Sequence, residues 1–441
     1  MEYNNNTLYF HNIQSFLSTA DLTLVTEIMC DGEIYYKKEE PMPIIEPWGK
    51  GEISFNPEYK GHDCFVNFYI EKNGEKISFM QFELDSTEEK SKFTPENFNC
   101  EFIQNNDEIT VKGKNFEINF ANGMPCYYAK NGKVYFNSSA EFVTHRAETD
   151  NDGIFGVFPR WTGEWERTRL HKMRIFTFET NVEKLQKSLE IKVKAVLTYD
   201  CNYTGFNLKI KYNVYSDGLI TSDITVKPFG EMPCIKYDTP DNIDPLTPRL
   251  PRFGVMFKLG KDLDTVKWFG RGSDQNYDDT IGNAPVGVYE LPIDKMNFEF
   301  DVPQETGNRG DTRYAQIKNE DVSFTVYGNE TFQFSYHPWT LEDLRNARHK
   351  SDLKEDKNNN SLYIDYKMRA LGSHSCGPNP ERELDFEPHD FEFVFAFNGE
   401  GNGEPEYFLK SFGAQTQKLS DVYVYAPLKS EREVVECDTR T

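Results

Sequence analysis

At 441 residues the chain exceeds what one hydrophobic core organises, so two or three domains are expected. A formal net charge of -23 opposes binding to a phosphate backbone, which excludes nucleic acid as a partner. No apolar run approaches the ~20 residues that cross a bilayer, and the N-terminus has no basic stretch leading into an apolar core, so a soluble, cytoplasmic chain without membrane contact is expected.

Aromatic residues reach 15%, with 35 Phe and 24 Tyr, which suits the pleated surfaces of β-sheets and predicts an all-β protein. From Leu8 to Leu84, short alternating runs such as LTLVTEIM and FVNFYI are separated by turn formers. Asn73-Gly74 lies between two such runs and predicts a tight hairpin, because both central residues of a type I′ turn need positive φ. Seven or so strands in under a hundred residues predict an immunoglobulin-like β-sandwich over 1–95. The polar stretch DSTEEKSKFTPENFN closes that unit.

Beyond it, ITVKGKNFEINFANG, LEIKVKAVLTYD, FNLKIKYNVYSDGLITSDITVKPF, DVSFTVYG and DFEFVFAF alternate over about three hundred residues. That many strands predict a large antiparallel double-sheet domain over 96–398. One short helix is expected in TLEDLRNARH, with Thr340 as N-cap and Asp343 three residues on. SDLKEDKNNNS reads as a mobile loop. NGEGNGEPE reads as a flexible linker opening a C-terminal extension over 399–441, in which DVYVYAPL is strand-like.

Chemistry is sparse. The glycines of FGRGSD lack the Lys-Ser or Lys-Thr of a phosphate loop, the histidines have no metal-ligand spacing, and the eight cysteines contain no CxxC pair, which argues against zinc and a disulfide scaffold. On the residues alone, His374 and Cys376 read as structural. A (β/α)₈ barrel needs roughly 250 residues of alternating strand and helix, and the chain has nowhere to hold one.

Four motifs stand in order across some 230 positions: HRAETDND (145–152), LPRFG followed by VKWFGRGSDQNYDD (250–254 and 266–279), VPQETGNRGDTR (302–313) and ALGSHSCGP (370–378). Together they resemble family 2 glycoside hydrolases of the β-galactosidase type, from just after the catalytic barrel to the C-terminus. The resemblance implies an immunoglobulin-like linker domain followed by a β-supersandwich of the kind found in galactose mutarotases. It implies that the chain is the small subunit or C-terminal half of a β-galactosidase, with both catalytic glutamates, and any magnesium, in a barrel-bearing large subunit. No residue here inherits a catalytic role, and no cofactor or metal is expected in this chain. The implied assembly, a hetero- or homo-oligomer, hydrolyses terminal β-D-galactosides with retention.

The same resemblance places Arg146, Asp150, Asn151, Asp152, Gly153, Trp161, His374 and Cys376 at the substrate pocket or its lid, the lid running from Gly153 to Trp165. Trp165 is expected in the core, and an Arg146–carboxylate pair is expected inside the first motif. Arg252, Trp268, Tyr277, Glu305, Arg309 and Arg313 are implied to be interface or structural residues. Two departures stand out: Ser375-Cys376-Gly377 replaces a Trp of some relatives, and Gly272-Ser273-Asp274-Gln275 replaces a Gly-Pro-x-Glu pattern. The competing readings are a stand-alone carbohydrate-binding protein, which galactose binding by the isolated chain would favour, and a mutarotase-like module, which rests on fold alone.

Overall fold

The computed structural model describes residues 1–4, 6–153, 161–199, 203–234, 247–373, 380–405 and 407–412. Among the described residues the chain is nearly all-β, with 51% strand and 8% helix, and it divides into two compact units.

The first unit holds Met1–Lys92 together with Pro285–Val288 and Leu409–Ser411. A four-stranded antiparallel sheet, ordered Glu33–Pro41, Thr23–Cys30, Cys64–Lys72, Glu75–Leu84, faces a three-stranded sheet of Glu2–Asn4, Thr7–His11 and Lys50–Ser54. The expected seven-stranded sandwich is formed. Leu8 and Phe10 of the smaller sheet share a core with Leu24, Ile28, Val66 and Phe68 of the larger. Phe68 meets Phe55 edge-on at 5.5 Å and Phe82 at 6.1 Å, geometry that adds to simple burial. The Asn73-Gly74 turn is made as read, with φ of 53° and 82° joining Lys72 to Glu75.

The second unit contains Phe93–Ala284 and Tyr289–Phe408. Its backbone is a twelve-stranded sheet whose continuous path runs Glu141–Val143, Arg252–Gly260, Asn359–Met368, Val322–His337, Phe391–Gly401, Ile220–Phe229, Gly205–Val214, Leu189–Thr198, Arg174–Lys184. A five-stranded sheet built from Glu101–Asn105 through Lys133–Phe136 shares its core. Strand identity follows from period-two patterning: in Leu189–Thr198 the residues Leu189, Ile191, Val193, Ala195 and Leu197 are buried while Glu190, Lys192 and Lys194 are half-exposed. Tyr128, Phe136, Phe257, Phe324 and Phe397 interlock between the sheets, each fully buried ring contributing roughly 1.5–3 kcal/mol. This accounts for the aromatic enrichment.

Two helices of more than one turn occur among the described residues, α1 at Trp161–Thr168 and α2 at Leu341–Asn346. Helix α2 is capped as its sequence implies: Thr340 Oγ1 accepts from the Asp343 N–H, and the Asp343 carboxylate accepts from the Thr340 N–H at 3.0 Å. No helix among the described residues is long and apolar enough to cross a membrane.

The linker read into NGEGNGEPE is corrected at its start. The strand Phe391–Gly401 runs on through Asn398–Gly401 and pairs as far as Val322↔Gly401. A Cβ at Gly399 would lie 2.3 Å from the Tyr135 ring, so glycine there permits close packing rather than freedom. Further on, Lys410–Ser411 pairs in parallel with Ser91–Lys92 as part of the first unit, so neither Phe391–Gly401 nor Lys410–Ser411 belongs to a separate appendage. DVYVYAPL lies outside the described residues.

Candidate functional site

The segment His145–Asp152 follows the edge strand Glu141–Val143 of the large sheet. Arg146 and Asp152 are both fully buried and form a two-pronged pair, Nη1 to Oδ2 at 2.8 Å and Nη2 to Oδ1 at 3.0 Å. The local sequence explains the turn. Asp152 Oδ2 accepts from the Thr149 N–H at 2.9 Å and from the Thr149 hydroxyl at 3.0 Å. Gly153, at φ 96°, closes the turn in the left-handed region that a glycine adopts without strain. Asp150 and Asn151 are left exposed at its tip.

The buried pair extends into a longer chain of charges. Arg369 Nη1 lies 3.4 Å from Asp152 Oδ1 while its Nε donates to Asp385 Oδ1 at 2.6 Å. The other Asp385 oxygen accepts from Arg249 Nε at 2.5 Å. Arg146, Asp152, Arg369, Asp385 and Arg249 are all buried, and alternating sign offsets the desolvation of each member. Helix α1 roofs two of the guanidiniums: its indoles, four residues apart on one face, place Trp161 4.8 Å from the Arg369 guanidinium carbon and Trp165 5.4 Å from that of Arg146. Both indoles are buried, Trp165 as expected; Trp161 is a wall packed on Arg369 rather than an open platform.

The middle motifs are zipped to one another. Asn276 N–H donates to Asn308 O at 2.9 Å, Asn308 Nδ2 donates to Asn276 O at 2.7 Å, and Asn276 Oδ1 accepts from the Gly310 N–H at 2.9 Å. Tyr277 donates its hydroxyl to Glu305 Oε1 at 3.3 Å. Burial pushes the Glu305 carboxyl up to about 7, against the opposing pull of the Arg252 and Arg146 guanidiniums. Its second oxygen has no partner. Arg252 makes its own bidentate pair with Asp365, both bonds 2.6 Å, beneath the Tyr363 ring.

Arg309 directs its Nη donors to the carbonyls of Gly307, Asn308 and Met296, and stands over the Trp268 indole at 5.4 Å. Burial lowers the Arg309 guanidinium to about 10, which leaves it protonated at neutral pH. Arg313 donates to Asp311 O at 2.5 Å and packs on Phe269, and Trp268 Nε1 donates to Arg271 O at 2.9 Å. All six residues expected as interface or structural are buried within this chain.

Direct bonds tie the fourth motif to the others. Asn151 Nδ2 donates to Leu371 O at 3.1 Å, and the Gly372 N–H donates to Asp279 Oδ2 at 2.6 Å. Asp278 accepts from Gln333 Nε2 at 2.9 Å, and burial raises its carboxyl above the usual range. Four motifs spread from 145 to 373 therefore meet in one bonded region, while His374, Cys376 and the lid residues 154–160 lie outside the described residues. Sequence reasoning missed Arg249, Asp365, Arg369 and Asp385. Arg369 immediately precedes the fourth motif and Asp365 lies four residues further upstream, so both fall just outside its first residue, Ala370. No group of three or more His, Cys, Asp or Glu suited to a metal occurs among the described residues.

A family model described as "Beta galactosidase small chain" matches residues 112–397, which includes every one of these motifs. The chain belongs to the β-galactosidase small-chain family. Related proteins are β-galactosidases of Actinobacillus pleuropneumoniae, 26% identical over 88% of this chain and 38% of that protein, and of Vibrio cholerae, 24% identical over 78% and 33%. A third, from Kluyveromyces lactis, is 27% identical over 57% and 22%. The chain thus spans about a third of the length of the first two of these relatives. Among solved structures, galactose 1-epimerase from Lactobacillus acidophilus covers 69% of this chain and all of its own length, at 8% identity and a TM-score of 0.37.

Proposed function

We propose that this chain is the small subunit, or C-terminal half, of a β-galactosidase, and that it completes the active-site pocket of a barrel-bearing partner hydrolysing terminal β-D-galactosides with retention. The observation that carries the reading is the convergence of the family's motifs, from His145 to Gly372, on one bonded region of a chain that corresponds to a third of each of its first two relatives. The partner supplies both catalytic carboxylates, held about 5–5.5 Å apart for a retaining reaction. Any magnesium belongs to that partner as well. The assembly is cytoplasmic.

In this reading Asp150, Asn151 and Gly153 edge the sugar pocket, and helix α1, with Trp161 packed on Arg369 and Trp165 on Arg146, is its fixed backing rather than part of a moving lid. Arg146 and Asp152 hold that edge in place. Excluding water and fixing the substrate accounts for a substantial part of any glycosidase barrier, so a subunit without the reacting carboxylates still controls the rate.

The test is hydrolysis of a chromogenic β-galactoside by this chain alone, by a barrel-bearing chain alone, and by the two mixed, with light scattering to follow assembly. Activity confined to a stoichiometric complex is the expected result. Turnover by the purified chain alone would place catalytic groups within it and overturn the reading, and galactose binding without hydrolysis in any mixture would favour a carbohydrate-binding module.

A further inference from the structure

Cys30 is the last residue of one central strand of the first unit's larger sheet, and Cys64 is the first residue of its antiparallel neighbour. The two are direct cross-strand partners. One position along, the Asp31 N–H donates to Asp63 O at 2.8 Å, which makes Asp31/Asp63 the hydrogen-bonded kind of pair. Because the two kinds alternate, Cys30/Cys64 is the non-hydrogen-bonded kind, whose Cα atoms lie about 4.5 Å apart, within the roughly 4.4–6.8 Å that a disulfide spans. The side chains point at each other with sulfurs 2.6 Å apart, both thiols free and both buried.

The surroundings leave room for nothing else. A Cβ at Gly61 would lie 2.8 Å from Cys30 Cβ and 3.1 Å from Cys64 Sγ, so only a glycine backbone covers the pair. The Asp31 carboxylate pins this cover by accepting from the His62 and Asp63 N–H groups. The pair sits where the two strands end, so local opening of the Gly61–Asp63 segment exposes it without unzipping the sheet. Burial raises both thiols above their usual range, which keeps the closed pair slow to react.

We propose that Cys30 and Cys64 are a modification site: a reversible cross-strand disulfide, formed by exchange with a low-molecular-weight disulfide, that clamps the two central strands of the sheet. The Cys30 thiolate attacks one sulfur of the small disulfide, forming a mixed disulfide and expelling one small thiolate, which takes up a proton. The Cys64 thiolate then attacks the Cys30 sulfur and expels the second small thiol. The protein thiols lose two electrons and two protons in all, and one small disulfide is reduced to two thiols. In a reducing compartment the pair stays open, so the sheet is stiffened only under oxidation. This holds whatever the glycosidase reading proves to be.

The test uses the full chain incubated with oxidised glutathione, alkylated with N-ethylmaleimide, digested and weighed by mass spectrometry. The expected product is a Cys30–Cys64 linked peptide pair, two hydrogens lighter than its two reduced peptides together and carrying neither glutathione nor N-ethylmaleimide on either sulfur. Melting should rise by about 5 °C or more and fall back with dithiothreitol. The variant Cys64→Ala, checked for folding by circular dichroism, should instead keep one glutathione on Cys30. Both thiols recovered alkylated, stable glutathione on each, links to other cysteines, or a link that leaves melting unchanged would each overturn the proposal. The mass measurement on the unsubstituted chain stands even where the variant fails to fold.

Discussion

Asp152 holds two guanidiniums, Arg146 at 2.8 Å and Arg369 at 3.4 Å, in a place where no water reaches any of the three. Replacing it with Asn keeps the shape and removes the charge, which leaves two buried cations short of an anion. Asp152→Asn is expected to lower stability by about 3–5 kcal/mol in urea denaturation. Glu305 makes the opposite argument. Its carboxyl is raised from 4.5 to about 7, so the unfolded chain ionises first and the folded state is progressively penalised as pH climbs between those values. The buried, neutral His145 and His337, lowered to about 3, act the other way, losing stability as pH falls below 6.5. Comparing the parent with Glu305→Gln cancels the histidine contributions. The variant should gain roughly 2–3 kcal/mol over the parent on going from pH 5 to pH 8, measured by denaturation at each pH; an equal difference at both would refute the assignment.

Within single elements, the motif LPRFG acquires a physical reason. Gly254 sits where the strand Arg252–Gly260 shifts register against Asn359–Met368, and a Cβ there would meet Asp365 Oδ1 at 2.0 Å and Ile364 O at 2.4 Å. The glycine makes room for the carboxylate that pairs with Arg252 two residues earlier. Gly254→Ala is therefore expected to displace Asp365 and cost about 3 kcal/mol or more, while Gly74→Ala, in an open turn at φ +82°, costs only about 1 kcal/mol for backbone strain. Thermal melting of the two variants side by side checks the order. In α2 the reciprocal Thr340 and Asp343 bonds predict a loss of about 1 kcal/mol for Thr340→Ala.

For the molecule as a whole, the motif loops are fastened by bonds between distant segments, and those bonds can be cut separately. Asn151 is exposed and its amide links the first motif to the fourth through Leu371 O. Asn151→Ala is expected to change stability by less than about 1 kcal/mol, yet, under the proposed function, to lower kcat/KM of the complex by roughly tenfold, because misplacing a loop at a substrate pocket costs rate out of proportion to stability. Unchanged kcat/KM in the complex would remove Asn151 from the pocket.

Much of the architecture was legible beforehand because a strand's side-chain period is a local property. Alternation in LEIKVKAVLTYD, the Asn73-Gly74 pair and the Thr340 cap each specify their element within a few residues, and the structure shows all three. The pairing of Arg146 with Asp152, six positions away, was equally within reach. What no local pattern carries is which strands become neighbours and how deeply each charge is buried. Arg252 meets Asp365 across 113 positions and Arg369 meets Asp152 across 217 only because the large sheet's order brings those strand ends together. The glycines of Asn398–Gly401 read as slack by composition, and it is the ring of Tyr135 that makes them a packed strand. Cys30 and Cys64 likewise look like scattered thiols until register sets them face to face. Periodicity decides what each segment is, whereas long-range pairing and desolvation decide what its polar residues do.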